Sequence, residues 1–147
     1  MTALIYMKRA RELAEKAATL GEVPVGAVVV KNGEIIGEGY NRRETDKSPL
    51  GHAEIAAIEA AAKKLSDWRL DDCDLYVTLE PCPMCAGAII NARIARVFYG
   101  AFDNKAGSFG SLTDLSCLPY ENVPEIHAGI DEAACKQQLV EFFKKLR

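Results

Sequence analysis

The sequence predicts an α/β domain built in layers, with helices packed on a mixed β-sheet. Three observations lead there. Asn32-Gly33 stands between two β-branched apolar runs, a strong hairpin signal, because both residues tolerate the positive φ of a type I′ turn. Beyond that hairpin, short apolar runs alternate with helix-length segments, the order of a parallel layered sheet. At 147 residues the chain has the length of one domain, 1–147, large enough to bury a proper core.

Each element has its own signal. Over the first twenty residues Leu4, Tyr6, Met7, Ala10, Leu13, Ala14 and Ala17 make an apolar stripe at helical spacing, and Gly21 ends it. Val25–Val30 and Ile35–Tyr40 are the hairpin strands. The first is apolar on both alternating sets and is expected to be covered on both faces. Residues 41–51 form a polar loop, followed by an alanine-rich helix from His52 to about Leu65. Leu75–Leu79 is a third strand, and Pro81–Asn91 a helix with proline near its first turn. Val97–Gly100 is a fourth strand, 105–111 a Gly- and Ser-rich loop, and Pro124–His127 a fifth strand. Asp131–Leu146 is a final helix.

Composition narrows the classes. The chain is 49% hydrophobic and 27% charged, and its apolar stretches fall well short of the roughly 20 residues of a membrane span. Lys8, Arg9, Arg11 and Glu12 interrupt the N-terminal apolar pattern, unlike a signal peptide. Five unevenly spaced cysteines fit a reducing compartment, so the expected address is cytoplasmic, with no membrane partner. A net charge of −3 counts against an indiscriminate nucleic-acid binder. Local basic clusters remain: Arg42, Arg43 and Lys47 in one loop, and Lys144, Lys145 and Arg147 at the end. Their plain reading is a solvated face.

Two short motifs carry the chemistry: His52-Ala53-Glu54 and Pro81-Cys82-Pro83-Met84-Cys85. Taken alone, a Cys-x-x-Cys pair is equally a redox dithiol, half a zinc knuckle or two core cysteines, and a His beside a Glu is ordinary. Together they supply three borderline-to-soft ligands, one short of a closed structural zinc site, which leaves a position for water. His127 lies 42 residues beyond Cys85 in a strand, and Cys73, Cys117 and Cys135 lack ligand-like spacing, so none is a good fourth ligand. All four motif residues fall at helix N-termini, where free N–H groups and the helix dipole favour thiolate and carboxylate. Residues i and i+2 of a helix do not share a face, so His52 is expected at or just outside the first turn. Glu54 is then spare as a ligand and placed for general acid/base work. A purely structural metal module has no use for such a carboxylate.

The pattern His-x-Glu, a 26-residue gap, then Pro-Cys-x-x-Cys resembles the cytidine/nucleotide deaminase signature. The likeness to the bacterial tRNA adenosine deaminases runs over most of the chain. It takes in Pro24-Val25-Gly26-Ala27-Val28, Gly37-Glu38-Gly39-Tyr40-Asn41-Arg42, Tyr76-Val77-Thr78-Leu79-Glu80-Pro81-Cys82, Met84-Cys85-Ala86-Gly87-Ala88, Arg93-Ile94, Gly100-Ala101 and Gly110-Ser111-Leu112. The resemblance implies a three-layer α/β/α cytidine deaminase-like fold with a central mixed five-stranded sheet, one Zn²⁺ per chain and a homodimer. The implied reaction is hydrolytic deamination of adenosine to inosine at the wobble position of tRNA, with the anticodon stem-loop as partner. It further implies that Asn41 hydrogen-bonds the flipped base, where a plain reading is a loop Asn closing a turn. Val23, Pro24 and Val25 would wall the base, and Ala101 and Asp103 would meet the RNA backbone. Phe142, Phe143 and Lys144 would contact the anticodon arm, although the two phenylalanines read equally well as core. Gly51 and Tyr120-Glu121-Asn122-Val123-Pro124 depart from that family's usual pattern. Pro83 and Leu70-Asp71-Asp72-Cys73 are similar instead to bacterial guanine deaminase, the alternative reading.

Overall fold

The computed structural model describes residues 2–146. In chain order the elements are α1 (Thr2–Thr19), β1 (Gly26–Lys31), β2 (Glu34–Tyr40), α2 (Ala53–Leu65), β3 (Asp74–Leu79), α3 (Pro83–Asn91), β4 (Arg96–Ala101), β5 (Glu125–His127) and α4 (Glu132–Lys145), with a single 3-10 turn at Leu115–Cys117. The sheet order is β2-β1-β3-β4-β5. β1 pairs antiparallel with β2 and β3, whereas β3–β4 and β4–β5 are parallel, so the five-stranded sheet is mixed.

The hairpin forms as its sequence predicts. Asn32 and Gly33 take φ of 51° and 77°, the sign that a turn matched to the twist of its strands needs. A register shift between Val29 and Val30 then lets Val30 face Ile35. β1 is buried along Gly26–Val30 because it lies in the sheet interior with helices on both faces.

Two cores result, one on each face. Ala27, Val29, Leu75, Val77, Val97 and Tyr99 point to one side, against Ala53, Ala57 and Ala61 of α2 and Ala86 and Ile89 of α3. Val28, Val30, Tyr76 and Phe98 point to the other, against Met7, Ala10 and Leu13 of α1 and Cys135 of α4. This is the expected three-layer α/β/α arrangement. The stripe of α1 begins one turn later than its spacing predicts: Leu4 is 49% exposed, while Met7, Ala10, Leu13, Ala14 and Ala17 are buried over β1 and β3.

Connectivity then brings four strand ends to one place. In the antiparallel register Ala27 faces Val77, so the entry to β1 lies beside the exit of β3. The Asn41 N–H donates to the Val25 carbonyl, which sets the exit of β2 there too. β4 runs parallel to β3 and leaves at the same end. Open α/β sheets place ligand sites beyond strand ends of this kind.

Candidate active site

The site is assembled from two helix starts. His52 is the N-cap of α2, with extended backbone (φ −98°, ψ 150°) and no side-chain cap of its own. The first orphan N–H of α2, on Ala53, is taken by Oδ1 of Asn41 at 3.0 Å. The His52 ring is thereby released from capping and turns to the cysteines. Cys82 is the N-cap of α3, Pro83 occupies the first turn, and Cys85 follows one turn in. A nine-residue helix is marginal alone. Fully buried Ala86 and Ile89 hold α3 on the sheet, and a buried Ile contributes about 1.5–3 kcal/mol. The hydrophobic core therefore fixes where the two thiols stand.

The donor geometry fits a tetrahedral metal. Nδ1 of His52 lies 3.6 Å from Sγ of Cys82 and 3.5 Å from Sγ of Cys85. All three ligand atoms lie within 4.8 Å of one another. Bond lengths of about 2.3 Å to sulfur and about 2.0–2.1 Å to nitrogen at tetrahedral angles give an N···S separation of about 3.6 Å. They are the only such cluster of His, Cys, Asp or Glu among the described residues. Three donors of this kind suit zinc and leave one position open.

Electrostatics set the protonation states. The hydrogen bond from the Cys85 thiol, reinforced by His52, brings Cys82 down to about 4, which favours the thiolate form that a metal ligand needs. The same contact holds the Cys85 proton on and raises it. Hydrogen bonding to Cys82 also raises His52. Glu54, in the first turn of α2, is only 4% exposed. Burial pushes its carboxyl up to about 7, where it can both accept and return a proton near neutrality.

His52, Glu54 and Cys82 floor a cleft of about 390 Å³. Val23, Val25 and Asn41 stand on one side and Asp103 and Ala106 on the other, while Phe142, Phe143 and Leu146 of the last helix reach over it. The two rings meet edge to face, with centroids 5.4 Å apart. Phe143 is 47% exposed, so these rings are cleft edge and not core.

Other sequence expectations land differently. Ala101 is 3% exposed and packs in the cluster with α1 and α4, so its side chain offers no surface to a strand of RNA. Pro24 does not line the cleft, although its neighbours do. Lys144 lines an adjoining groove with Lys136, Leu139, Val140 and Phe143. Arg42 turns away to Asp46 and the Tyr40 hydroxyl, and it is Arg43 that lines the cleft. Gly51 is explained by close approach: a Cβ there would lie about 2.9 Å from the Arg43 backbone. Two further buried carboxylates that no sequence motif announces line the cleft, Glu22 and Glu80. An acid in an apolar frame (Leu79-Glu80-Pro81) was the available signal.

A sheet with two helix starts carrying a His/Cys/Cys cluster beside a buried glutamate defines a deaminase of the cytidine deaminase type. The chain belongs to the MafB19-like deaminase family, whose model matches residues 1–147, and it groups with the bacterial tRNA-specific adenosine deaminases of that superfamily. It is 47% identical over 144 residues to the tRNA-specific adenosine deaminase of Bacillus subtilis (strain 168), covering 97% of this chain and 89% of that one. It superposes with a TM-score of 0.89 and 41% identity on a structure from work on A-to-I editing by tRNA:A34 deaminases at the wobble position, covering 91% of this chain and 98% of that one. Guanine deaminase from Bacillus subtilis matches at 46% identity with a TM-score of 0.66, covering 76% of this chain and 71% of that one. The protein is thus an enzyme, a deaminase.

Proposed function

We propose that this enzyme removes the 6-amino group of adenosine at the wobble position (34) of tRNA by zinc-dependent hydrolysis, giving inosine and ammonia. The observation that carries this reading is 47% identity over 97% of the chain to a tRNA-specific adenosine deaminase, joined to a His/Cys/Cys donor cluster at the floor of an open cleft. A zinc ion held by His52, Cys82 and Cys85 supplies the acidification of water that hydrolysis at neutral pH needs.

The remaining work falls to the chain's own side chains. Glu54 takes one proton of the attacking water and delivers it to N1 of the purine as the C6–O bond forms, then takes the second proton from the C6 hydroxyl and gives it to the amine as the C6–N bond breaks, leaving the C6 carbonyl of inosine. Burial suits it to this cycle by favouring the neutral form and raising its carboxyl above the ordinary carboxylate range. Asn41 faces the cleft from the exit of β2 and orients the base edge, with its Oδ1 already engaged by Ala53. Val23 and Val25 pack beside the ring. A base must leave its stack to reach such a floor, so its neighbours are gripped at the rim: Asp103 on one side, with Phe142 and Phe143 offering stacking surface on the other. Lys144 in the adjoining groove meets a phosphate. We assign the working unit as a homodimer in the cytoplasm. Among the described residues no helix is long and apolar enough to cross a membrane.

Inosine formation in a synthetic anticodon arm with adenosine at position 34 tests the reading. Guanine, adenosine and cytidine serve as competing substrates, with ammonia release as the common signal.

A further inference from the structure

Two buried carboxylates line the cleft without a role in proton transfer or metal binding. Glu22 is 3% exposed and Glu80 is 1% exposed. Among the described residues neither forms an ion pair. A buried carboxylate is costly unless its lone pairs are met. Both are met by loop donors. Glu22 accepts from the Glu44 N–H at 3.2 Å through Oε1, and from the N–H and hydroxyl of Thr45, each at 2.6 Å, through Oε2. Glu80 accepts from the Asp103 N–H at 3.1 Å and the Ser111 hydroxyl through Oε1. Through Oε2 it accepts from the N–H groups of Phe109 at 3.2 Å and Ser111 at 3.0 Å.

The two loops are the two rims of the cleft. Arg43 and Glu44 line it on one side, Asp103 and Ala106 on the other. Neither 41–51 nor 102–114 contains helix or strand, and loops of that length are ordinarily the mobile part of a fold. Here each closes around a carboxylate that is itself fixed beside the sheet: Glu22 precedes β1, and Glu80 follows β3. Gly107 shows how tightly the second loop wraps, since a Cβ there would lie 2.5 Å from the Glu80 carboxylate. Hydrogen bonds to an ionised acceptor are the strong kind, and several converging on one group hold both distance and direction.

We propose that Glu22 and Glu80 are paired positioning residues, each anchoring one rim loop so that the cleft mouth is held open in the shape of a nucleotide with its neighbours attached. The proposal rests on the tRNA reading above. Pre-set rims serve a polymer, whose flanking nucleotides lie across the mouth, and they act on binding more than on the chemical step at the floor. Loosening a rim leaves the metal donors and Glu54 where they are, because Glu54 and Cys85 stand on α2 and α3, and His52 and Cys82 are the N-caps fixed to the starts of those helices.

The test uses the zinc-loaded full chain and the synthetic anticodon arm. Glu22→Gln and Glu80→Gln each turn one acceptor oxygen into a donor facing donors. Each is expected to raise KM about 10-fold or more while kcat falls less than about threefold. Thr45→Val and Ser111→Ala remove one hydroxyl arm without that clash, and each is expected to raise KM by about threefold; they keep the test valid if a Gln variant fails to fold. Amide hydrogen exchange supplies the second readout. The amides of Glu44 and Thr45 should exchange about 10-fold faster in Glu22→Gln, and those of Phe109 and Ser111 in Glu80→Gln, with β1 and β3 unchanged. A loss confined to kcat, or KM within twofold of wild type in all four variants, overturns the proposal. Unchanged loop exchange overturns it as well, whatever the substrate. Failure of wild type itself to act on any RNA arm overturns the tRNA reading instead, and the anchoring is then decided by exchange alone.

Discussion

Replacing Glu54 with Gln separates the two things this side chain does. The carboxyl is nearly fully buried and lifted from an ordinary value of 4.5 to about 7. For an acid whose folded pKa is raised, the folded state is penalised as pH climbs past the unfolded value, and the whole penalty is present above the folded one. At about 1.4 kcal/mol per pH unit, the ionised carboxylate costs the metal-free protein about 3 kcal/mol by pH 8. Glu54→Gln keeps the shape and removes that cost. In denaturant melts of chelator-treated protein, the variant should be more stable than wild type by about 3 kcal/mol at pH 8 and by about 1 kcal/mol or less at pH 5. Turnover should move the other way: zinc-loaded Glu54→Gln should retain its metal and lose about 10²–10⁴-fold in kcat. Near-normal turnover in a zinc-loaded variant would refute the proton-shuttle assignment. A stability gap that does not widen with pH would refute the account of its burial.

Other outcomes follow from the same geometry. Elemental analysis should find about one zinc per chain, with most of it lost, together with stability, in Cys82→Ala and in Cys85→Ala; full retention in both would break the ligand assignment. Burial alone would raise Glu22, but its bonds to Thr45 and Glu44 bring it below the ordinary 4.5. Its stabilising contribution is therefore complete above the unfolded value and lost as pH falls through the lower folded one. The melting-temperature gap between wild type and Glu22→Gln should close as pH drops below about 4.5, and a gap independent of pH would contradict it. Changing Lys144 and Lys145 to Ala should weaken binding of the anticodon arm most at low salt and flatten its salt dependence. An unchanged slope would remove the terminal helix from the phosphate contacts.

How far the sequence was readable varied from element to element, for physical reasons. The hairpin announced itself because Asn32-Gly33 meets a backbone demand local to two residues. His52 and Cys82 were readable as helix N-caps because a turn of helix follows each, and the metal site needed only the ends of α2 and α3 to meet. What stayed hidden depends on distant partners. Glu22 and Glu80 look like surface acids until loops more than twenty residues away close over them. Ala101 sits one residue from a loop that lines the cleft, and alternation from Val97 and Tyr99 would place it with them, yet at the end of β4 it is buried in the cluster with α1 and α4. Arg42 and Arg43 are interchangeable in sequence, and only the pairing of Arg42 with Asp46 and Tyr40 decides which one faces the cleft. The exposure of Leu4 reflects where the sheet lies beneath α1, which helical spacing does not report.

The substrate class is the central claim, and one assay addresses it. Purified zinc-loaded protein is incubated in parallel with the anticodon arm carrying adenosine at position 34, with the same arm carrying guanosine there, and with free guanine. Ammonia release is followed, and inosine is read from the RNA. The account predicts inosine and stoichiometric ammonia from the adenosine arm, with kcat/KM at least about 100-fold above that for free guanine. Ammonia from guanine with none from any arm would contradict it and assign the cleft to a free base.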